Sequence, residues 1–380
     1  MLSSMGLLNT LAVLHAWVTE NQLHGMAEST TAWIFSCYGF LLYFCGAQIG
    51  KTLGPIFDAY DIKVLIIPGS IGIVTLTILL SFSTEFYQFL LSFGILGGIS
   101  ASLLFYPAVS TISHWFLRRR SLATGICLTS GGLGGILFPL IILYAAPSIG
   151  FPWAIRIVSL ICVVSSIIAC CLLRKRLPPN KEGGGAIDLK ALRDPKYAVI
   201  TIAIFITEFS LFIPYTYISS YGISKGMSLR SALMLNVLLS VGAIPGRALP
   251  GYFADRYGVL NVMVVTTSAC TVLILGLWLP IRSGNEAAIN AFTTLFGFWS
   301  GAAIALAPVC IGQVCEAKDY GKRTGTSFFI SSFGALIGIP IAGVILESGD
   351  NNYQGLIILV GVTFVITTGT FYWAKRLLCA

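Results

Sequence analysis

Apolar runs of about twenty residues, separated by short polar turns, repeat along nearly the whole chain. They fall at 2–18, 31–49, 64–83, 86–106, 122–145 and 152–173, then at 197–220, 231–253, 259–281, 287–314, 324–346 and 353–377. A helix needs about 20 apolar residues to cross the hydrocarbon core of a bilayer. In lipid it satisfies its backbone hydrogen bonds within one segment. The pattern therefore predicts an all-α membrane protein of twelve transmembrane helices. The first run is marginal for a full span, which leaves room for a missing upstream stretch.

One polar stretch breaks the rhythm. Residues 174–196 carry Pro178-Pro179 and Gly183-Gly184-Gly185 and read as a flexible linker. They divide the chain into a six-helix unit at 1–173 and another at 197–380. A polar turn joins the second and third runs of the second unit: Gly251-Tyr252-Phe253-Ala254-Asp255-Arg256-Tyr257-Gly258. A worn copy occupies the same place in the first unit, Gly54-Pro55-Ile56-Phe57-Asp58-Ala59-Tyr60. It keeps the glycine, the aspartate four residues on and the tyrosine, without the arginine or the last glycine. Two copies at half-chain spacing imply a duplicated architecture of two pseudo-symmetric bundles.

Charge fixes an orientation. Only 10% of the residues are charged and 56% are hydrophobic, against roughly 25% charged in soluble domains. A net charge of +8 would suit nucleic acid if it were clustered on one surface, but it alternates between loops. With both termini and the linker in the cytoplasm, 18 of the 23 Lys and Arg residues lie inside. Three lie outside (Lys225, Arg230, Arg282), and Arg156 and Arg247 fall within spans. Cytoplasmic loops carry the positive excess, so the termini are expected there.

Other chemistry is sparse. The ten cysteines lie almost entirely in apolar runs without a CxxC pair, and read as small apolar fillers. Gly46-Ala47-Gln48-Ile49-Gly50-Lys51-Thr52 imitates a phosphate loop but is one residue short and ends a membrane helix. No metal-binding motif, cofactor fingerprint or nucleophile with base and orienting group is present, so neither an enzyme nor a cofactor is expected.

Twelve spans, a central linker and the repeated turn resemble the major facilitator superfamily. Its two six-helix halves enclose a solute site near the midplane. A second stretch resembles the monocarboxylate-porter branch: His114-Trp115-Phe116-Leu117-Arg118-Arg119-Arg120-Ser121-Leu122-Ala123-Thr124-Gly125, followed by Ser130-Gly131-Gly132-Leu133-Gly134-Gly135. Gly6-Leu7-Leu8-Asn9 and Phe212-Ile213-Pro214-Tyr215-Thr216-Tyr217 resemble its fungal members. Two features depart from that branch. The acidic and aromatic signature before the first helix is absent, and the aspartate that proton-linked animal members carry one turn before the arginine is here Ala243.

The candidate residues follow. Glu208 is the one carboxylate deep in a span, where a group is costly to ionise and placed to take up and release a proton. The alternative is a structural carboxylate bonded to a neighbouring helix. Arg247 offers a planar fork that suits a carboxylate, with a helix-packing arginine capped by carbonyls as the bland alternative. The resemblance sets His15 at the place of a first-helix lysine, which makes it a candidate for gating solute entry by protonation. Arg156 reads as a snorkelling residue. Phe212 and Tyr215 are candidate solute contacts, and Trp33, Trp299 and Phe333 could line the cavity or simply pack. The resemblance also implies a gate. Asp58 would face Lys322, Arg323 and the eleventh helix, while Asp255, next to Arg256, would face Arg118, Arg119, Arg120 and the fifth. Each carboxylate would sit on a helix N-terminus.

The resulting expectation is a secondary transporter of a small, anionic, monocarboxylate-like solute, working by alternating access, with a proton as candidate co-substrate and secondary-metabolite export as a candidate role. A transporter-like nutrient sensor is the alternative. The expected partners are the solute, a proton and the bilayer, with no nucleic acid, in a monomer or weak oligomer. The expected address is the plasma membrane, with the vacuolar membrane as the alternative.

Overall fold

The computed structural model describes residues 1–48, 63–115, 120–173, 188–281, 285–315, 320–348 and 352–379. Asp58, Arg118 and Arg119 lie outside this set, as does the side chain of Arg120. The described residues are helical nearly throughout. In chain order the helices are α1 (Leu2–Leu8), α2 (Leu11–Glu20), α3 (Glu28–Gln48) and α4 (Lys63–Leu80). Next come α5 (Phe86–Phe89), which continues through a π-helical stretch, Leu90–Gly97, into α6 (Gly98–Trp115), then α7 (Arg120–Ile149) and α8 (Phe151–Leu172). A 3-10 turn, Leu189–Arg193, leads into α9 (Pro195–Ser224) and α10 (Leu229–Tyr257). The remainder is α11 (Val259–Val272) with a π-helical end, Leu273–Trp278, then α12 (Glu286–Ile311), α13 (Tyr320–Ser348) and α14 (Gln354–Cys379).

Each of the twelve apolar runs therefore meets a helix, with one exception to its continuity. The first run is broken at Asn9–Thr10, where α1 and α2 bend by 52°. Among the described residues ten helices are long and apolar enough to cross a membrane, and the bent pair makes eleven. The remaining run, α3, has 21 residues, so its length of roughly 30 Å at 1.5 Å per residue matches a bilayer core.

Local chemistry sets the helix ends. The Ser228 hydroxyl accepts from Ser231 N at the start of α10, and Asn285 accepts from Ala287 N and Ala288 N at the start of α12. Gly258, the last residue of the polar turn, has φ of 92° between α10 and α11, a conformation that residues with a Cβ rarely adopt. Inside the bundle, α10 and α12 approach closely through Gly242 and Gly246 on one side and Gly297 and Gly301 on the other. Methyl groups at Gly242 and Gly246 would run into the carbonyls of Thr294 and Phe298, so small residues here permit backbone contact.

Burial follows a period of three helices. In each set of six, the third and sixth (α4 and α8, then α11 and α14) show apolar side chains outward, among them Ile71, Leu160, Val272 and Trp373. The first and fourth, including α9 and α12, are the most enclosed. The second and fifth pack across the chain halves, α3 along α13 and α7 along α10. That cross-packing places the polar residues described next at the seam between halves.

One expectation is corrected. The composition of 174–196 predicts a flexible linker, yet residues 188–196 are folded onto the bundle. The Asp188 backbone N–H donates to Thr326 Oγ1 at 2.8 Å and its carboxylate lies 3.1 Å from Lys322 Nζ. Asp194 caps α9 and lies 3.7 Å from Arg323. The Pro and Gly signals of the linker lie upstream of this ordered end and say nothing about it.

Candidate functional site

The break between α1 and α2 exposes backbone and places Asn9 at the seam. Asn9 faces α7 and α10, and α7 can come this close because Gly131 and Gly135 carry no side chain there. From α10, Asn236 donates its amide to the Asn9 backbone carbonyl at 2.7 Å. Two turns past Ser240, Arg247 donates through Nη1 to the Leu128 carbonyl at 2.8 Å and through Nη2 to Asn9 Oδ1 at 3.2 Å. Arg247 is only 1% exposed. Its fork thus ties the second half of the chain to two helices of the first, the capped arrangement that the sequence reading held as the alternative to a free anion binder. Tyr215 of α9 lies against Arg247, and its hydroxyl is 3.2 Å from Ser300 Oγ on α12.

Glu208 lies 2% exposed on α9. Its side-chain partner is the Tyr43 hydroxyl of α3, and Tyr106 of α6 is also close enough to feel its charge. Tyr43 stands within reach of both the Glu208 and Arg247 charges. Phe212, one turn further along α9, packs edge-on to Tyr43 at 6.1 Å and against Gly39. Glu208, Phe212, Tyr215 and Arg247 are therefore gathered at one seam, whereas His15 is elsewhere.

His15 lies at the end of the bundle opposite the linker. Its Nε2 is 3.3 Å from Glu28 Oε2, and Nδ1 is 3.3 Å from Ser220 Oγ of α9. Phe35 and Tyr217 stand edge-on to the ring at 5.2 and 5.1 Å. Beside this cluster the Ser29 backbone N–H donates to Glu347 of α13 at 2.8 Å. This end is closed by contacts between the halves. Glu28 was missed from the sequence because it precedes the apolar run, in what looked like a loop.

At the linker end, Asp255 Oδ2 accepts from the Leu122 backbone N–H in the first turn of α7 at 3.3 Å. Arg256 points instead over the Tyr257 ring, 5.7 Å from its centroid. Lys322 and Arg323 face Asp188 and Asp194 as described, and Arg323 also donates to the Val314 carbonyl at 2.9 Å. The phenylalanines of α3 and α13 interlock between the two ends, Phe40 with Phe333 at 5.5 Å and Phe44 with Phe329 at 5.1 Å. Phe333 thus packs at the seam, while Trp33 is 45% exposed and Trp299 packs edge-on against Phe298. Arg156 sits between Trp153 and Phe82, with its guanidinium 4.6 and 4.9 Å from their centroids, as suits a residue at a polar–apolar boundary.

Such buried polar contacts between two packed halves are costly in lipid, and comparisons with known proteins give the family. An MFS transporter, asaE, of Aspergillus flavus is 33% identical over 372 residues, covering 96% of this chain and 83% of the relative. The riboflavin transporter MCH5 of Saccharomyces cerevisiae is 31% identical over 404 residues, covering 100% and 76%. The aspyridones efflux protein apdF of Emericella nidulans is 34% identical over 358 residues, covering 93% and 70%. The profile of the Major Facilitator Superfamily matches residues 1–291 and 249–377. The chain is a multi-pass membrane transporter and belongs to the Major Facilitator Superfamily.

Proposed function

We propose that this protein moves a small organic acid by alternating access between two six-helix bundles, 1–173 and 197–380, joined by a cytoplasmic linker at 174–196. Both termini are cytoplasmic in this reading, the membrane is the plasma membrane, and the working unit is a monomer. The observation that carries it is Arg247, a buried cation whose guanidinium reaches across the seam to Leu128 and Asn9 of the opposite half. When the halves part, the guanidinium loses Leu128 and Asn9 and is left needing acceptors. A solute carboxylate supplies two oxygens in the geometry of its fork. In the empty closed carrier, Asn9 and Leu128 stand in for that carboxylate, which lets the unloaded protein change state without a buried unpaired charge.

Glu208 is the proton-binding group in this scheme. Bonded to Tyr43 across the seam, it is neutralised before closure and released to water on opening, since burying a lone carboxylate is costly. The ends of the bundle act as gates, with Asp255 on the first turn of α7 closing the cytoplasmic side. Export of a metabolite is the favoured direction, supported by the relatives named for efflux.

Flux of a labelled monocarboxylate into proteoliposomes under an imposed pH gradient tests this reading. Uptake or exchange that saturates and falls with Arg247→Lys supports it, since lysine keeps the charge and loses the fork. Unchanged affinity in that variant removes Arg247 from recognition.

A further inference from the structure

Four buried polar atoms at the seam have no hydrogen-bond partner: Asn9 Nδ2, Asn236 Oδ1, Ser240 Oγ and Arg247 Nε. Their residues are at most 2% exposed, and buried polar groups left this way call for an explanation. The two amides cannot be turned to hide them. Arg247 Nη2 donates to Asn9 Oδ1, which fixes the Asn9 amide with its nitrogen free. Asn236 Nδ2 donates to the Asn9 carbonyl, which fixes the Asn236 amide with its oxygen free. Both orientations follow from the hydrogen-bond network rather than from the amide atoms themselves.

The cluster thus presents an unused donor on Asn9 and an unused acceptor on Asn236, on residues already bonded to each other. Ser240, one turn from Asn236, adds a hydroxyl that can serve either role. Gly131 and Gly135 let α7 close directly onto the cluster. Side chains there would run into Arg247 and Asn9, or into Ser240 and Asn9. The broken first helix contributes too, because an uninterrupted α1 would keep the Asn9 carbonyl in its own ladder. Interrupted membrane helices serve solute binding where the freed backbone lines a site.

We propose that Asn9 and Asn236 form a paired hydrogen-bonding subsite beside Arg247 for a planar group bearing an acceptor and a donor side by side, as in a protonated carboxyl or an unsubstituted amide. Asn9 Nδ2 gives to the solute carbonyl oxygen and Asn236 Oδ1 takes the solute N–H or O–H. The proposal rests on the solute-site reading of Arg247 above. It adds that the site selects on a hydrogen-bond pattern and not on charge alone.

Three probes on one ring separate these ideas: benzamide, N,N-dimethylbenzamide and benzoate. Each is titrated against the purified full-length protein in detergent, with the rise in unfolding temperature as the readout. Benzamide is expected to bind about tenfold more tightly than its dimethyl form, because a site built to bond an N–H rejects the analogue lacking it. Asn236→Leu should bring that ratio to about twofold or less, while Asn236→Asp, which keeps the acceptor, should preserve it. Asn9→Leu should weaken both amides together. If the ratio survives Asn236→Leu, or if neither amide stabilises the wild-type protein, the paired subsite is overturned. Benzoate reports on the underlying reading: loss of its binding in Arg247→Lys keeps the solute site intact even where the amide pattern fails. Benzoate binding indifferent to that change removes both.

Discussion

The Asp255 carboxylate, at the end of α10, accepts the backbone N–H of Leu122 in the first turn of α7, 3.3 Å away across the two halves of the chain. The N–H groups of a first helical turn have no partner within the helix, and a negative charge there gains about 0.3–1 kcal/mol at an exposed site. That is small against the stability of the protein and large enough to bias a balanced pair of conformations severalfold. Asp255→Asn should therefore cut transport several times over while the melting temperature in detergent moves little. Wild-type flux in the variant would remove this contact from the gate.

At the other end of the bundle, His15 binds Glu28 and Ser220 at once, so it spans α2, α3 and α9. Buried pairs of this kind lose most when one partner alone is removed. His15→Leu leaves the Glu28 carboxylate facing an apolar ring cluster, and the closed outer end should open more often. A cysteine placed at Ser220 reports this directly: its labelling by an impermeant thiol reagent should rise about fivefold or more when Glu28→Gln removes the carboxylate. Equal labelling in both backgrounds would mean that the pair is packing only.

Much of this arrangement is legible in the sequence, and the illegible part has a common cause. Helix number, the Gly258 turn and the isolation of Glu208 in a span follow from local sequence, because lipid demands apolar helices and makes any intramembrane charge conspicuous. Asn9 and Asn236 carry no such signal. A lone amide in an apolar run looks the same whether it faces lipid, its own helix or a partner 227 residues away. Glu28 was hidden by sitting before the apolar run, and Asp188 by the glycines upstream of it. In each case the missing information was the contact between distant segments, which no periodicity encodes. Ala243 is the reverse case. It packs against Gly301 of α12, so a small side chain fits the local packing of this chain.

The linker latch gives a prediction outside the membrane. The hydrogen bond and positive charge of Lys322 hold the Asp188 carboxyl below its ordinary value. A depressed carboxylate contributes stability above its unfolded pKa of about 3.9 and loses it as pH falls through the lower, folded value. Docking of residues 188–194 should therefore hold at neutral pH and loosen in acid below about pH 4. The partly exposed pair is worth no more than about 1 kcal/mol. Asp188→Asn at neutral pH should raise trypsin cleavage after Lys190 and Arg193 by about fivefold at most, leaving the melting temperature of the bundle unaltered. Cleavage at the wild-type rate would show that the Thr326 bond suffices.

Close helix contact predicts a sharp difference between two glycines. A methyl at Gly246 meets the Phe298 carbonyl, whereas one at Gly369 meets nothing within 4 Å. Overpacking typically costs 1–3 kcal/mol, while Gly to Ala in a free helical position gains about 0.5–1 kcal/mol. Gly246→Ala should lower the melting temperature in detergent and Gly369→Ala should hold or raise it. Matching shifts in the two variants would disprove the close approach of α10 and α12.

Glu208 decides whether protons take part. It is the carboxylate bonded to Tyr43 across the seam, and in the proposed cycle it must be neutral when the halves close. Glu208→Gln is neutral at every pH and keeps an oxygen that can accept from Tyr43. The variant should therefore close and exchange solute across equal compartments at close to the wild-type rate, because exchange needs no net proton movement. Accumulation against a gradient should disappear, and the pH dependence of net flux with it. Tyr43→Phe should act differently: it removes the bond while the proton site remains, so accumulation persists at a reduced rate. Accumulation retained in Glu208→Gln would assign the carboxylate to helix packing and leave Arg247 as the only charged participant at the seam.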